Sequence, residues 1–224
     1  MFESNQTVVR HSESVLATNS VLRNTYLLLS LTLLFSAATA GLAFVTNASS
    51  PGFIVTILGV YGLMFLTQAL RNSVWGIVSI FAFTGFLGYT LGPLVNAIVG
   101  NYSNGSEIVM TALGATGVIF LSLSAYTLTT RKDFSYLGGF LFVAAITAFL
   151  AMLGGVLFNV PMLHVIVSAA FVLISSGMIL YQTSLIIQGG ERNYIMATIA
   201  LFVALYNLFV SLLHLLTMFA GNRD

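Results

Sequence analysis

Long apolar runs alternate with short polar clusters along the chain, and this pattern predicts seven helices. Each run approaches or exceeds the roughly 20 apolar residues that one membrane crossing needs. Backbone amides in hydrocarbon must be paired within a helix or a closed barrel, and runs of this length without two-residue alternation favour helices. The predicted fold class is therefore all-α, a polytopic seven-helix transmembrane bundle. The predicted spans are residues 22–45, 53–70, 74–99, 107–128, 134–157, 162–187 and 194–219.

The breaks between the runs contain Gly, Pro, Asn, Ser or charged residues, which are turn and loop formers. Residues 1–20 are rich in Ser, Asn and Thr and are predicted to form a flexible cytosolic tail. Residues 21–220 are predicted to form the seven-helix transmembrane domain, and residues 221–224 a short extracytoplasmic tail.

Composition supports a membrane location and excludes several function classes. Hydrophobic residues make up 58% of the chain and charged residues 6%, so no ordinary soluble surface can be built. The formal net charge of +1 leaves no basic field for a nucleic-acid partner. The absence of cysteine removes disulfides and thiolate metal sites, and no cofactor is expected.

The distribution of cations predicts the orientation, because Lys and Arg in short loops stay on the cytoplasmic side. With seven spans, only Arg223 falls on the opposite side from the other cations. The N-terminus is therefore predicted to be cytoplasmic and the C-terminus extracytoplasmic. The six cations predicted on the cytoplasmic side are Arg10, Arg23, Arg71, Arg131, Lys132 and Arg192.

A cleaved signal peptide is an alternative interpretation of the N-terminal region, since Ala38-Thr39-Ala40 resembles a small-residue cleavage site. The apolar run continues beyond it to Val45, and a polar tail rather than a short basic leader precedes the run. An uncleaved first span is therefore the favoured interpretation.

Few residues within the spans could carry chemistry. The sequence has no Gly-rich phosphate loop, no paired-histidine metal motif and no nucleophile elbow, and no nucleophile and base pair supports an intramembrane enzyme. All six acidic residues lie in tails, in loops or at span ends. Intramembrane carboxylates are the usual carriers of protons and cations, so their absence weighs against transport. No enzymatic activity is expected.

Two polar stripes remain inside the spans. In the last span, Asn207, Ser211 and His214 share one helical face, and in the sixth span Ser168, Ser175 and Gln182 recur every seven residues, with His164 on a similar face. One interpretation is a hydrated polar core or ion path; the favoured one is hydrogen bonding between helices. His164 and His214 are candidates for pH sensing, although hydration near an extracytoplasmic helix end is the favoured explanation for His164.

The third span contains Gly85, Gly88 and Gly92, of which the last two form a Gly-x-x-x-Gly pair. This pattern predicts close packing against another helix rather than ligand binding.

Several segments between residues 20 and 219 resemble the Bax-inhibitor family of membrane proteins. Those segments are VLRNTYLLL at 21–29, FTGFLGYTLGP at 83–93, SAYTLTTRKD at 124–133 and LYNLF at 205–209. SSG at 175–177 and GGERNY at 189–194 are similar to the bacterial branch that modulates the membrane-anchored, ATP-dependent FtsH protease.

This resemblance implies a bundle in which the last helix is central and wrapped by the other six. In members that leak calcium, two aspartates on the last two helices form a pH-sensitive latch. Local matches place Gln182 and Ala204 at those positions, and neither can titrate or offer a carboxylate. A pH-sensitive calcium or cation leak, which would use Gln182, Asn207 and His214, therefore stays the alternative function.

For the bacterial branch, the resemblance implies a protein of the bacterial inner membrane that binds and modulates an FtsH-type protease. The partners would be that protease, the membrane proteins that regulate it, and the lipid bilayer. The N-terminal tail, including Ser4, Asn5, Arg10 and His11, would give the protease an initiation point. The slowly degraded bundle would then delay the turnover of other membrane substrates.

Overall fold

A computed structural model describes the backbone of residues 3–220 and the side chains of residues 20–155, 157–160 and 162–219. This part of the chain forms seven α-helices and contains no strand. The helices are α1 (Glu3–Val45), α2 (Phe53–Leu70), α3 (Trp75–Asn101), α4 (Gly105–Thr130), α5 (Leu137–Leu157), α6 (Pro161–Ile187) and α7 (Tyr194–Ala220).

Each of the seven helices is long and apolar enough to cross a membrane, which confirms the predicted all-α, seven-span architecture. The membrane-length part of α1 is Ser20–Val45, and the seven candidate spans have mean hydropathies between 1.6 and 2.2. Most boundaries differ from the predicted ones by a few residues. For example, α4 begins at Gly105 rather than at residue 107, because the turn after α3 is short. However, α1 begins at Glu3, so that its backbone is helical through much of the segment predicted as a tail.

The main apolar core is formed largely by α1, α3 and α7, together with Ile186 of α6. Phe83 and Phe202 are fully buried there, with their ring centroids 6.3 Å apart. Large apolar side chains also cover the outside of the bundle, among them Leu58 on α2 and Phe142 on α5. An exposed apolar surface of this kind is stable only against lipid, which agrees with the membrane-spanning lengths.

Helix α7 packs against α1, α3, α4 and α6, and half of its apolar stretch is buried. By contrast, α2 packs mainly on α3 and α5 mainly on α6, and little of either helix is buried. That all six other helices wrap α7 stays a prediction.

The loops at 71–74, 131–136 and 188–193 lie together at one end of the bundle, here called the loop end. The cations with described side chains, Arg23, Arg71, Arg131, Lys132 and Arg192, all lie at or near this end. The opposite end, here called the far end, contains the other loops and the end of α7. Which end faces the cytoplasm depends on the orientation of the bundle in the membrane, so the cytoplasmic location of the loop end stays a prediction.

Candidate functional site

A cavity of about 600 Å³ lies near the far end, between α3, α5, α6 and α7. Here it is called the polar cavity, because polar side chains from α6, α7 and the end of α3 form part of its wall. Five of them belong to the predicted stripes, namely His164, Ser168, Asn207, Ser211 and His214, and the others are Asn101, Tyr102 and Thr217. The structure therefore brings together the last-span stripe and the beginning of the sixth-span stripe.

The register of two antiparallel helices explains this arrangement. Residues early in α6 lie beside residues late in α7, so His164 and Ser168 meet the face that carries Ser211 and His214. An α-helix has about 3.6 residues per turn, so side chains four and seven residues apart lie on one side of it. Asn207, Ser211 and His214 therefore share one side of α7. His214 lies six residues before the end of α7, about 9 Å along its axis.

Two other members of the predicted stripes do not line the polar cavity. Gln182 follows His164 by eighteen residues, which places it about 27 Å further along α6, toward the loop end. Ser175 is buried between these levels. The periodicity predicted a shared face but could not show which part of that face opens into a cavity.

The hydrogen bonds expected between the two stripes are not seen among the described side chains. None of these five stripe side chains has a side-chain hydrogen bond to another part of the described chain. By contrast, most buried threonines bond a carbonyl in the preceding turn, as Thr116 does to Ala112 at 2.7 Å. Ser168 and Ser211 are buried, His164 and Asn207 are partly buried and His214 is exposed, so all five can bond water or a ligand in the cavity.

The wall of the polar cavity contains no carboxylate. Within the described residues, no group of three or more His, Cys, Asp or Glu side chains could hold a metal ion. The acidic side chains that the structure describes are Glu107 in the first turn of α4, Asp133 and Glu191. The cavity therefore presents neutral hydrogen-bonding groups and two imidazoles.

The glycines predicted to pack closely all face α1. A Cβ at Gly85 would lie 2.6 Å from the Phe35 ring, and a Cβ at Gly92 would meet Ala43. At Gly88 it would meet the backbone oxygen of Ser36. We call this contact the glycine seam; α3 can approach α1 this closely only because these positions lack side chains.

Asn193 ties two loops together at the loop end, a role that the sequence analysis did not identify. Its Oδ1 accepts hydrogen bonds from the amides of Ile195 at 3.0 Å and Met196 at 3.1 Å, which caps α7. Its Nδ2 donates to the Arg71 carbonyl and to Asn72 Oδ1, both at 3.0 Å. An Asn directly before an apolar run is a recognisable cap signal, but the contact across 122 residues is not.

A second contact joins α6 to the loop between α4 and α5. Ser184 accepts a hydrogen bond from the Phe134 amide at 2.9 Å, and Gln188 Nε2 donates to the Arg131 carbonyl at 3.1 Å. Together with Asn193, these bonds connect all three loops of the loop end.

The acidic groups at the loop end order their own loops. The Ser135 amide donates to Asp133 Oδ1 at 2.8 Å, and this hydrogen bond lowers the pKa of Asp133 below its usual 3.8. Glu191 accepts a hydrogen bond from the Asn193 amide at 2.7 Å. The Lys132 ammonium lies 5.9 Å from the Tyr126 ring centroid. The loop end is thus a basic surface whose carboxylates are already engaged with backbone amides.

The predicted protease-engaging residues Ser4, Asn5, Arg10 and His11 have side chains outside the described residues, as does the tail at 221–224. Their roles stay predictions.

Comparison with known proteins identifies relatives over almost the whole chain. Residues 18–221 match the family described as "Inhibitor of apoptosis-promoting Bax1". A protein of Escherichia coli K12 named "Modulator of FtsH protease YccA" is 53% identical over 211 residues, which cover 94% of each chain. Uncharacterized proteins of Pseudomonas aeruginosa and Vibrio cholerae are 51% and 41% identical, over 91% and 94% of each chain respectively.

Proposed function

Because the chain belongs to the Bax-inhibitor family of membrane proteins, we propose that it is an inner-membrane modulator of an FtsH-type, membrane-anchored ATP-dependent protease. The chain binds the protease through the loop end and the N-terminal tail. The tail serves as the initiation point for degradation. The role is regulatory rather than enzymatic.

The observation that carries this proposal is the similarity to the E. coli protein named as a modulator of FtsH protease. Identity of 53% extends over 211 residues, which cover 94% of each chain. A second E. coli relative, equally similar, is named an inner membrane protein, which supports the proposed location.

The loop end supports the proposal because it offers an ordered surface at the end of the bundle where the tail joins the membrane-length part of α1. Hydrogen bonds from Asn193 and Gln188 hold the three loops together, and the surrounding cations are exposed. A partner with an acidic surface would find fixed positive charge there, and charge complementarity accelerates association.

The glycine seam supports slow degradation of the bundle. The apolar part of α1 follows the tail directly, and α1 packs closely on α3 at Gly85, Gly88 and Gly92. A protease that pulls on the tail must separate α1 from α3 before it reaches the other helices. Low extractability would keep the protease occupied and delay the turnover of other substrates.

The alternative, a pH-sensitive cation leak, has less support. Ala204 is buried against Ile179 and Leu208, and Gln182 cannot carry a negative charge. In the described interior, no carboxylate compensates the loss of ion hydration, and the polar cavity offers only neutral or positive groups. The modulator function requires none of these side chains.

Deleting residues 2–18 tests the role of the tail. In proteoliposomes with an FtsH-type protease and ATP, we expect the deletion to slow degradation of the chain and to abolish its interference with a second substrate. Replacing residues 2–18 by an unrelated polar segment of equal length controls for tail length, and we expect it to restore both effects. If the deletion changes neither quantity, the tail is not the initiation point.

A further inference from the structure

Two of the helices that form the wall of the polar cavity leave a gap between them. Helices α3 and α5 both contribute to the wall but do not pack extensively against each other in the described part of the chain. The gap between them lies in front of α6 and α7, which form the back of the cavity. A molecule in the bilayer can therefore approach from the side.

The two parts of the wall differ in chemistry. The sides are mostly apolar, with Leu94 and Ile98 on α3 and Phe149 and Met152 on α5, and polar side chains enter them only at the end of α3, where Asn101 and Tyr102 line the cavity. The back contains the two imidazoles, the Asn207 amide and two hydroxyls, none with a side-chain hydrogen bond within the described chain. Apolar sides and an unpaired polar back match a molecule with one apolar and one hydrogen-bonding part.

The hydrogen-bonding groups of the wall indicate which charge the polar part of the bound molecule carries. His164 and His214 both line the cavity, and no carboxylate does. Two imidazoles, an amide and two hydroxyls can all donate hydrogen bonds, which favours an anionic group over a cation. The position near the far end places this group close to the membrane boundary, as an acidic lipid head group requires.

We infer that the polar cavity binds an acyl chain that carries an acidic head group. The head group is bound by His164, Asn207 and His214, and the chain lies between α3 and α5. The volume of about 600 Å³ falls within the range of about 300–1,000 Å³ that is typical of ligand sites. The site does not depend on the proposed interaction with a protease.

A free fatty acid and an anionic phospholipid both combine an acyl chain with an acidic head group. Competition with a labelled fatty acid distinguishes between these two ligands. The full chain in phosphatidylcholine nanodiscs is irradiated with a diazirine-labelled palmitate, and adducts are mapped by mass spectrometry. We expect adducts concentrated on residues 94–102, 149–171 and 207–218. Displacement by unlabelled palmitate alone identifies a fatty acid as the ligand, and displacement by phosphatidylglycerol as well extends the site to anionic phospholipids. If neither displaces the probe, the site does not exist.

Matched variants test whether the polar back wall binds the head group. The double variant His164→Leu and His214→Leu removes both imidazoles, and we expect about tenfold less labelling because hydrogen bonds to a charged group are lost. Gln182→Leu, which changes a polar residue of α6 outside the cavity, should leave labelling unchanged. Ser168→Phe fills the cavity and should block labelling even if the double variant does not fold. Equal labelling of Ser168→Phe and the unaltered chain would overturn the inference.

Discussion

Single residues determine how the loops of the loop end are held. Asn193 acts on two elements at once, since its carbonyl oxygen caps α7 while its amide nitrogen reaches the loop before α3. Asn104 also occupies a helix N-cap position, before α4, but makes no side-chain capping bond. A comparison of Asn193 with Asn104 therefore separates the effect of an asparagine at the N-cap on stability from the effect of the hydrogen bonds that it makes.

Replacing Asn193 with Ala should destabilise the protein by about 1–2 kcal/mol, because both the cap and the link to Arg71 are lost. Thermal unfolding in nanodiscs, followed by circular dichroism, measures the change. Asn104→Ala is the control and should leave the midpoint unchanged. Equal midpoints for the two variants would show that the Asn193 contacts contribute nothing to stability.

At the scale of helices, hydrophobic length alone predicts the membrane-length part of all seven helices, because the bilayer fixes the length that each must have. It does not predict that α1 begins as early as Glu3, because the residues before Ser20 are polar. The polar stripes are less predictable. Periodicity places Asn207, Ser211 and His214 on one face, but the antiparallel register that joins them to His164, and not to Gln182, depends on the tertiary structure. The hydrogen bond between Asn193 and the Arg71 carbonyl also depends on the tertiary structure, since nothing in the sequence around either residue predicts that they are in contact.

The glycine seam is an element-scale feature with a direct test. Gly88→Ala would place a methyl group against the backbone oxygen of Ser36, so α1 and α3 must move apart. We expect a loss of about 1–3 kcal/mol in stability, the usual cost of overpacking. Gly114→Ala on α4 is the control, because no atom lies within 4 Å of the new methyl group there.

Alanine favours helix over glycine, so the control should keep or slightly raise the unfolding midpoint. A lower midpoint for Gly88→Ala alone supports close packing at the seam. If Gly88→Ala behaves like Gly114→Ala, α1 and α3 have room that the structure does not show.

At the scale of the whole molecule, the two ends of the bundle differ in chemistry. The loop end combines hydrogen-bonded loops with the described cations, whereas the far end contains the polar cavity. We propose that protease binding occurs at the loop end and lipid binding at the far end. The separation means that variants at one end can test one activity while leaving the other unchanged.

The measurement that tests the central claim most directly is the degradation rate of an unrelated membrane substrate by an FtsH-type protease in proteoliposomes. We predict that this rate falls as increasing amounts of the chain are incorporated and that it reaches a plateau when the protease is occupied. Chain lacking residues 2–18, incorporated at the same density, controls for crowding of the membrane and should leave the rate high. A substrate degradation rate that does not depend on the amount of chain would contradict the proposed modulation.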